Sequence, residues 1–434
     1  MKRDSLSGCR PRPAVRIPER IAVPMAERHL TAGGVSVYTL PAPEYGVVRV
    51  SFVFRAGSSW QRVPFCASAT VNNLAEGSRR MTSLQIAEQL DYYGSYFDVS
   101  LDRDWSVVTF VCLSKYFDRT LAIAREILIE PRFPEEELGV YCAKSRQALL
   151  VNRTKVDFMA RELFARSIYG AQHPYGVSSD ASLYDALRRE DVADFFRNHY
   201  TADNCFVVAS GDVAGERIRS LEAFLGEMAT GGETERPAFP EPVAVSRAER
   251  SVEGAVQSAL RVGRTLFPRS HPDYVGMQVV ATVLGGYFGS RLVQNLREEH
   301  GYTYGAYAAM VNFDRSGYFA AATEVGAPVT DEALAQMMAE IDRLRGELVP
   351  ETELGMVRNI MAGEVMRILD GPFGIADVTI ENIQNGFDNG YTAGYMEQVR
   401  AVTPGRIREL AQRYLVPEQL TTVVVGPARG EQQA

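Results

Sequence analysis

Residues 294–305 read QNLREEHGYTYG and gather Arg297, Glu298, Glu299, His300, Tyr302 and Tyr304 around Gly301. A guanidinium and a phenol are donors suited to an oxyanion developing on a carbonyl, and losing one such donor costs roughly a hundred- to a thousandfold in rate. Neither can generate the attacking nucleophile. The five histidines (His29, His173, His199, His271, His300) are never closer than 199 − 173 = 26 residues, so no i,i+4 imidazole pair exists for a helical zinc site. The chain also lacks GxGxxG, a Walker loop and GxSxG. His173, before Pro174, reads as a turn residue, with no Ser or Cys poised beside it.

The elements that must position this cluster are readable. Pro272 suits a first helical turn, DYVGMQVVATVL continues it, and Gly285-Gly286 stops it. Ser290 can cap a second helix whose Leu292 and Leu296 share an apolar face, with Gly301 as its left-handed terminator. Arg297 and His300 then fall in the last turn, where cations also complement the helix dipole without any chemistry. Arg291 ties the helix start to neighbouring backbone, and Glu298 and Glu299 form a solvated face. The following YTYGAYAAM alternates as a strand does, which predicts that Tyr302 and Tyr304 project on the same side.

The chain repeats itself. FPEEELGV at Phe133 returns as VPETELGM at Val349, an offset of 349 − 133 = 216. RNHYTADNCFVVASGDV and QRYLVPEQLTTVVVGPA match at 414 − 200 = 214 and 426 − 211 = 215, and Tyr93-Gly94 answers Tyr304-Gly305 at 304 − 93 = 211. Ordered matches at nearly one offset indicate a duplicated domain. Between the halves, ATGGETERPAFPEPVAV (residues 229–245) has the composition of an exposed linker. The expected division is a flexible basic tail (1–25), a first domain (26–228), a linker (229–250) and a second domain (251–430). Strands grouped as hairpins predict an α+β fold in each half, a largely antiparallel sheet with helices on one face.

A net charge of −8, from 46 basic and 54 acidic residues, disfavours a nucleic-acid partner. Five scattered cysteines without CxxC give neither a disulfide framework nor a thiolate zinc site. No run approaches the roughly 18 apolar residues of a membrane span, and the basic N-terminus has no apolar signal core. A cytoplasmic protein with reduced thiols is expected.

The run GG....SRL...LREE.GYTYG (Gly285 to Gly305), with FRAGS, FPEEEL and HPYG, resembles the pitrilysin family of zinc peptidases, in particular the short duplicated chains related to mitochondrial processing peptidase. The resemblance spans roughly residues 26–428. It implies two homologous α+β domains per chain, two chains closing a clam-like chamber around an extended peptide, and an Arg and a Tyr reaching from one chain to the zinc site of the other. Arg297 and Tyr302 take those roles, with Tyr304 as second choice and a peptide contact.

Catalytic relatives carry HxxEH on a helix and a third carboxylate ligand roughly 75 residues on. The corresponding stretch here is FCASATVNNLAEGS, which puts Ser68, Val71 and Asn72 at the motif positions. Asn72 and Asn73 read as a satisfied polar pair facing the chamber. The third ligand falls near Gln147 or Ala148, in a stretch from Tyr141 to Lys155 with no carboxylate. The resemblance therefore implies a noncatalytic subunit that holds no metal, inactive alone, whose HxxEH-bearing partner supplies the zinc; a homodimer and a peptide-binding scaffold are the alternatives. Phe97, Asp98, Val99 and Ser100, in FDVSLD, occupy the edge strand that pairs with substrate backbone in the family.

Overall fold

The computed structural model describes residues 20–232 and 238–428. In the first half, β1 (Glu27–Leu30), β2 (Ser36–Pro41), β3 (Val47–Phe54), β4 (Tyr96–Leu101), β5 (Ser106–Leu113) and β6 (Cys205–Gly211) form a six-stranded sheet in the order β1-β2-β6-β3-β5-β4. In the second, β7 (Arg247–Ser251), β8 (Gln257–Leu266), β9 (Ala306–Asn312), β10 (Gly317–Gly326) and β11 (Thr421–Gly426) run in the order β7-β11-β8-β10-β9. Each sheet is antiparallel except at one parallel pair, β2 with β6 and β7 with β11. The first half's helices are α1 (Cys66–Asn72), α2 (Ser83–Tyr93), α3 (Phe117–Leu128), α4 (Glu135–Asn152), α5 (Val156–Tyr169), α6 (Arg189–His199) and α7 (Glu216–Glu227). The second half's are α8 (Tyr274–Gly285), α9 (Arg291–Val293), α10 (Thr330–Gly346), α11 (Glu351–Ile368), α12 (Gly371–Gln384), α13 (Asn389–Ala401) and α14 (Pro404–Tyr414). Among the described residues no helix is long and apolar enough to cross a membrane.

The duplication has a local cause at its clearest point. Helices α4 and α11 are each 18 residues long, each preceded by a proline, Pro134 or Pro350, with glutamates in the first turn. Proline stops the chain from being helical before it, and first-turn carboxylates favour the positive end of the helix dipole. The match of Tyr93-Gly94 to Tyr304-Gly305 is corrected. Gly94 ends α2 in the left-handed region at φ 59°, and the second-half glycine in that role is Gly301 at φ 66°, an offset of 301 − 94 = 207.

Neither sheet leaves its second face bare. Most helices of each half bury one face of their own sheet, as expected, while one helix of each half crosses over. Met159, Ala160, Phe164 and Ile168 of α5 are buried against Ala259, Ala320, Val423 and Val425 of the second sheet. Reciprocally, Ala376 and Ile380 of α12 are buried with Val53, Trp105, Phe206 and Val208 of the first. A buried carboxylate adds polar contact at the seam: Asp104 accepts hydrogen bonds from the Tyr175 hydroxyl (2.8 Å) and from the Asp314 N–H of the second half (2.9 Å).

Residues 1–19 of the expected tail lie outside the described residues. Its last residues are packed: Ile21 and Val23 are buried in the second half's core, and Asn389 donates to the Pro24 carbonyl at 2.7 Å. The linker likewise becomes strand β7 from Arg247 onward, after the Val243 and Val245 N–H groups have bonded to Tyr169 and Ser167 carbonyls.

His173 is buried in the loop after α5, ringed by Tyr169 and Phe239, and its Nδ1 accepts from the Tyr175 N–H at 3.1 Å. Burial pushes its pKa below the usual 6.5, against a smaller opposing influence of Glu241. An imidazole more basic unfolded than folded gives stability that is full above pH 6.5 and declines as pH falls from there through the folded pKa. Denaturation midpoints should therefore drop on acidification in that window, with a shallower drop in a His173→Gln variant.

Candidate functional site

The segment that presents Arg297 is tied down on three sides. Helix α8 can press its end against β9 because Gly285 has no side chain; a Cβ there would meet the Ala308 nitrogen at 2.3 Å. Ser290 is extended at the start of α9, and Leu292 and Leu296 are fully buried in the second core. Arg291 forms two 2.9 Å bonds with the Glu353 carboxylate of α11, so its anchor is a side chain and not the backbone anticipated from sequence. Asn295, also buried, donates to Gln336 (3.1 Å) and Glu340 (2.9 Å) of α10.

After Val293 the helix widens to a π-helix over Gln294–Glu299, a form found mostly as single-turn insertions and frequently at functional sites. Gly301 then reverses the chain, and the Tyr302 N–H bonds to the Leu296 carbonyl at 2.8 Å.

From Gly301 to Gly305 the chain is a loop, with β9 starting at Ala306, so the expected strand does not begin at Tyr302. The cause is Thr303, whose hydroxyl donates to the Glu324 carbonyl (2.6 Å) and accepts from the Gly305 N–H (3.1 Å). That turn separates the two tyrosines. Tyr302 is half-buried against the second core beside the His300 ring, 5.0 Å away. Tyr304 is 91% exposed with its ring 5.1 Å from the Arg297 guanidinium, and the Phe288 ring flanks the same guanidinium at 4.6 Å. The Arg297 Nε also lies 3.4 Å from Glu298. The structure thus brings Arg297 to Tyr304 and leaves Tyr302 with the core. Glu298 and Glu299 are exposed, as expected.

On α1 the three motif positions do different things. The Ser68 hydroxyl donates to the Phe65 carbonyl (2.9 Å), Asn72 donates its amide to the Ser68 carbonyl (2.8 Å), and Val71 is buried core. Asn73 is buried and bonds the Ala69 carbonyl. Opposite them α4 turns Tyr141 and, one helical turn on, Ser145. Burial raises the Tyr141 pKa, while hydrogen bonds with Ser68, Ser145 and Asn72 act the other way. Tyr141 and Ser145 are therefore the α4 residues in this cluster, while Gln147 and Ala148 are exposed. Phe65, in the left-handed region at φ 65°, stacks on Tyr184 at 3.9 Å and closes the group.

Hydroxyls and one committed amide do not fit a catalytic zinc site, which takes three imidazole, carboxylate or thiolate ligands. Among the described residues no three His, Cys, Asp or Glu side chains are grouped to hold a metal.

Strand β4 lies at the free edge of the first sheet and beside α1. Phe97 and Val99 pack on the first core, with the Phe97 ring 5.3 Å from Phe110, while Asp98 and Ser100 face solvent. These four belong to the first half and the Arg297 cluster to the second. Phe288, Tyr141 and Ser145 were not legible as site residues. The glycines at 286 and 289 around Phe288 were the one available signal.

The chain is similar to several known proteins. A sequence model described as the peptidase M16 inactive domain matches residues 186–361. An uncharacterized zinc protease of Rickettsia bellii is 23% identical over 336 residues, 75% of this chain and 79% of that one. A probable mitochondrial-processing peptidase subunit beta of Arabidopsis thaliana is 20% identical, over 81% and 68%. A crystal structure of a peptidase M16 inactive domain from Pseudomonas fluorescens superposes with a TM-score of 0.86 at 22% identity, covering 93% of this chain and 98% of that one.

Proposed function

We propose that this chain, which is similar to the pitrilysin, or M16, peptidases and matches a sequence model described as their inactive domain, is the noncatalytic subunit of a two-chain zinc metallopeptidase. The partner, a homologous HxxEH-bearing chain, supplies the zinc and its activated water. This chain contributes Arg297 and a tyrosine, whose donors meet the scissile carbonyl as its oxygen takes on charge.

One observation carries the reading: a partly exposed guanidinium beside an exposed phenol stands in a chain whose own motif positions hold Ser68, Val71 and Asn72. A scaffold has no use for oxyanion donors alone. Because Tyr304 is the phenol over Arg297, it takes precedence over Tyr302, the residue that the sequence resemblance favours. Extended substrate pairs with the free edge of β4 through Phe97 to Ser100, since backbone pairing needs no particular side chain.

A second reading, a peptide-binding scaffold without hydrolysis, draws on that same free edge. Mixing separates the two. The chain alone should cleave nothing and hold no stoichiometric zinc, and should raise the activity of an HxxEH-bearing partner on mixing. In the mixture Tyr304→Phe should lower turnover at least tenfold and Tyr302→Phe much less. A chain that copurifies only with itself, or a mixture indifferent to both tyrosines, sinks the subunit reading.

A further inference from the structure

We propose that Phe288 is a positioning residue that orients Arg297 for its carbonyl, an inference resting on the donor role given to Arg297. Phe288 sits in the turn between α8 and α9, and its ring is 65% exposed. Its neighbour Tyr287 packs on the second core, so Phe288 is not needed there. Glycines at 286 and 289 bracket the turn; a Cβ at Gly286 would meet Thr282 at 2.5 Å, which holds the turn close to the end of α8. What the exposed ring does touch is the Arg297 guanidinium, at 4.6 Å, with Tyr304 flanking the same group at 5.1 Å.

The chemistry of the guanidinium makes this arrangement directional. Its faces are weakly hydrated and stack on aromatic rings, while its N–H donors lie in the plane. Rings that flank it restrict the long side chain and leave the in-plane donors for an oxygen. They also compete with Glu298, whose carboxylate is 3.4 Å from Nε and 46% exposed, and so able to draw the guanidinium aside. Phe288 has no donor or acceptor of its own, so its effect on a carbonyl can only pass through Arg297. Tyr304 has both functions, a flanking ring and a phenol.

The test begins on the full-length chain alone, with phenylglyoxal as the probe and mass spectrometry reading modification of Arg297. Phe288→Ala should speed that modification about two- to fivefold, the range a surface stacking contact is worth, while Phe288→Tyr stays near the wild-type rate. Arg291, held by Glu353, is the internal reference and should not change. In the mixture with an HxxEH-bearing partner, Phe288→Ala should lower kcat by about the same two- to fivefold with KM unmoved. The effect should vanish in an Arg297→Ala background, because the two residues act as one unit. Unchanged Arg297 reactivity in Phe288→Ala overturns the proposal, as does a turnover that collapses with Arg297→Ala yet ignores Phe288→Ala. Faster modification with turnover indifferent to both residues leaves the positioning intact and removes the donor role instead.

Discussion

In the proposed two-chain assembly, Arg297→Ala is expected to lower turnover by roughly a hundred- to a thousandfold, with assembly intact. The size follows from where the charge appears: a neutral carbonyl gains little from a guanidinium, whereas the tetrahedral oxyanion gains much, so the loss falls on kcat far more than on KM. The folded chain should hardly notice. Arg297 is partly exposed, its ion pair with Glu298 is a surface contact of the kind worth little, and the buried anchors of its helix are Leu292, Leu296 and Asn295. Steady-state kinetics beside sedimentation of the mixture checks both halves of the statement. A kcat within threefold of wild type in a fully assembled complex contradicts the donor role.

Phe164→Ala carries the largest expected stability cost, about 3–5 kcal/mol, because it empties the centre of the α5 packing on the second sheet. Phe164 is fully buried and its ring meets Tyr318 at 5.8 Å. The space is tight: a Cβ built at Gly263 of β8 would sit 2.9 Å from the tip of the Phe164 ring and 2.0 Å from the Phe319 carbonyl. Both tryptophans, Trp60 and Trp105, are buried in the first half. Their fluorescence reports that half and, through Trp105, its contact with α12, while far-ultraviolet circular dichroism reports both halves in full. Because α5 belongs to the first half and covers the second, the two signals should fall together in Phe164→Ala at lower denaturant. A destabilisation under 1 kcal/mol contradicts this account of the seam.

How much of this was legible in the sequence depended on how local the cause is. The paired starts of α4 and α11 were readable because a proline followed by glutamates acts within one turn. So was the terminator Gly301, with Leu292 and Leu296 facing the core. The separation of Tyr302 from Tyr304 was not, since it depends on a Thr303 hydroxyl reaching the carbonyl of Glu324, 21 residues on. An alternating pattern carries no sign of that bond. The widening of the helix at Gln294 left no trace in composition, and the match of Tyr93-Gly94 to Tyr304-Gly305 aligned similar letters in different roles. On α4, Tyr141 and Ser145 were not singled out, because spacing along a chain does not fix which residue a helix turns toward its neighbour. Nothing in the sequence showed that α5 would cover the other half's sheet.

The exchange of α5 and α12 bears on how such a chain could have arisen. A polypeptide of half this length would have an oily sheet surface with nothing of its own to shield it, and a helix with no place to lie. It could bury both only by trading that helix with an identical molecule, so an ancestor before the duplication would have existed as an interlocked pair. Joining two such halves end to end would turn a swap between molecules into a seam inside one.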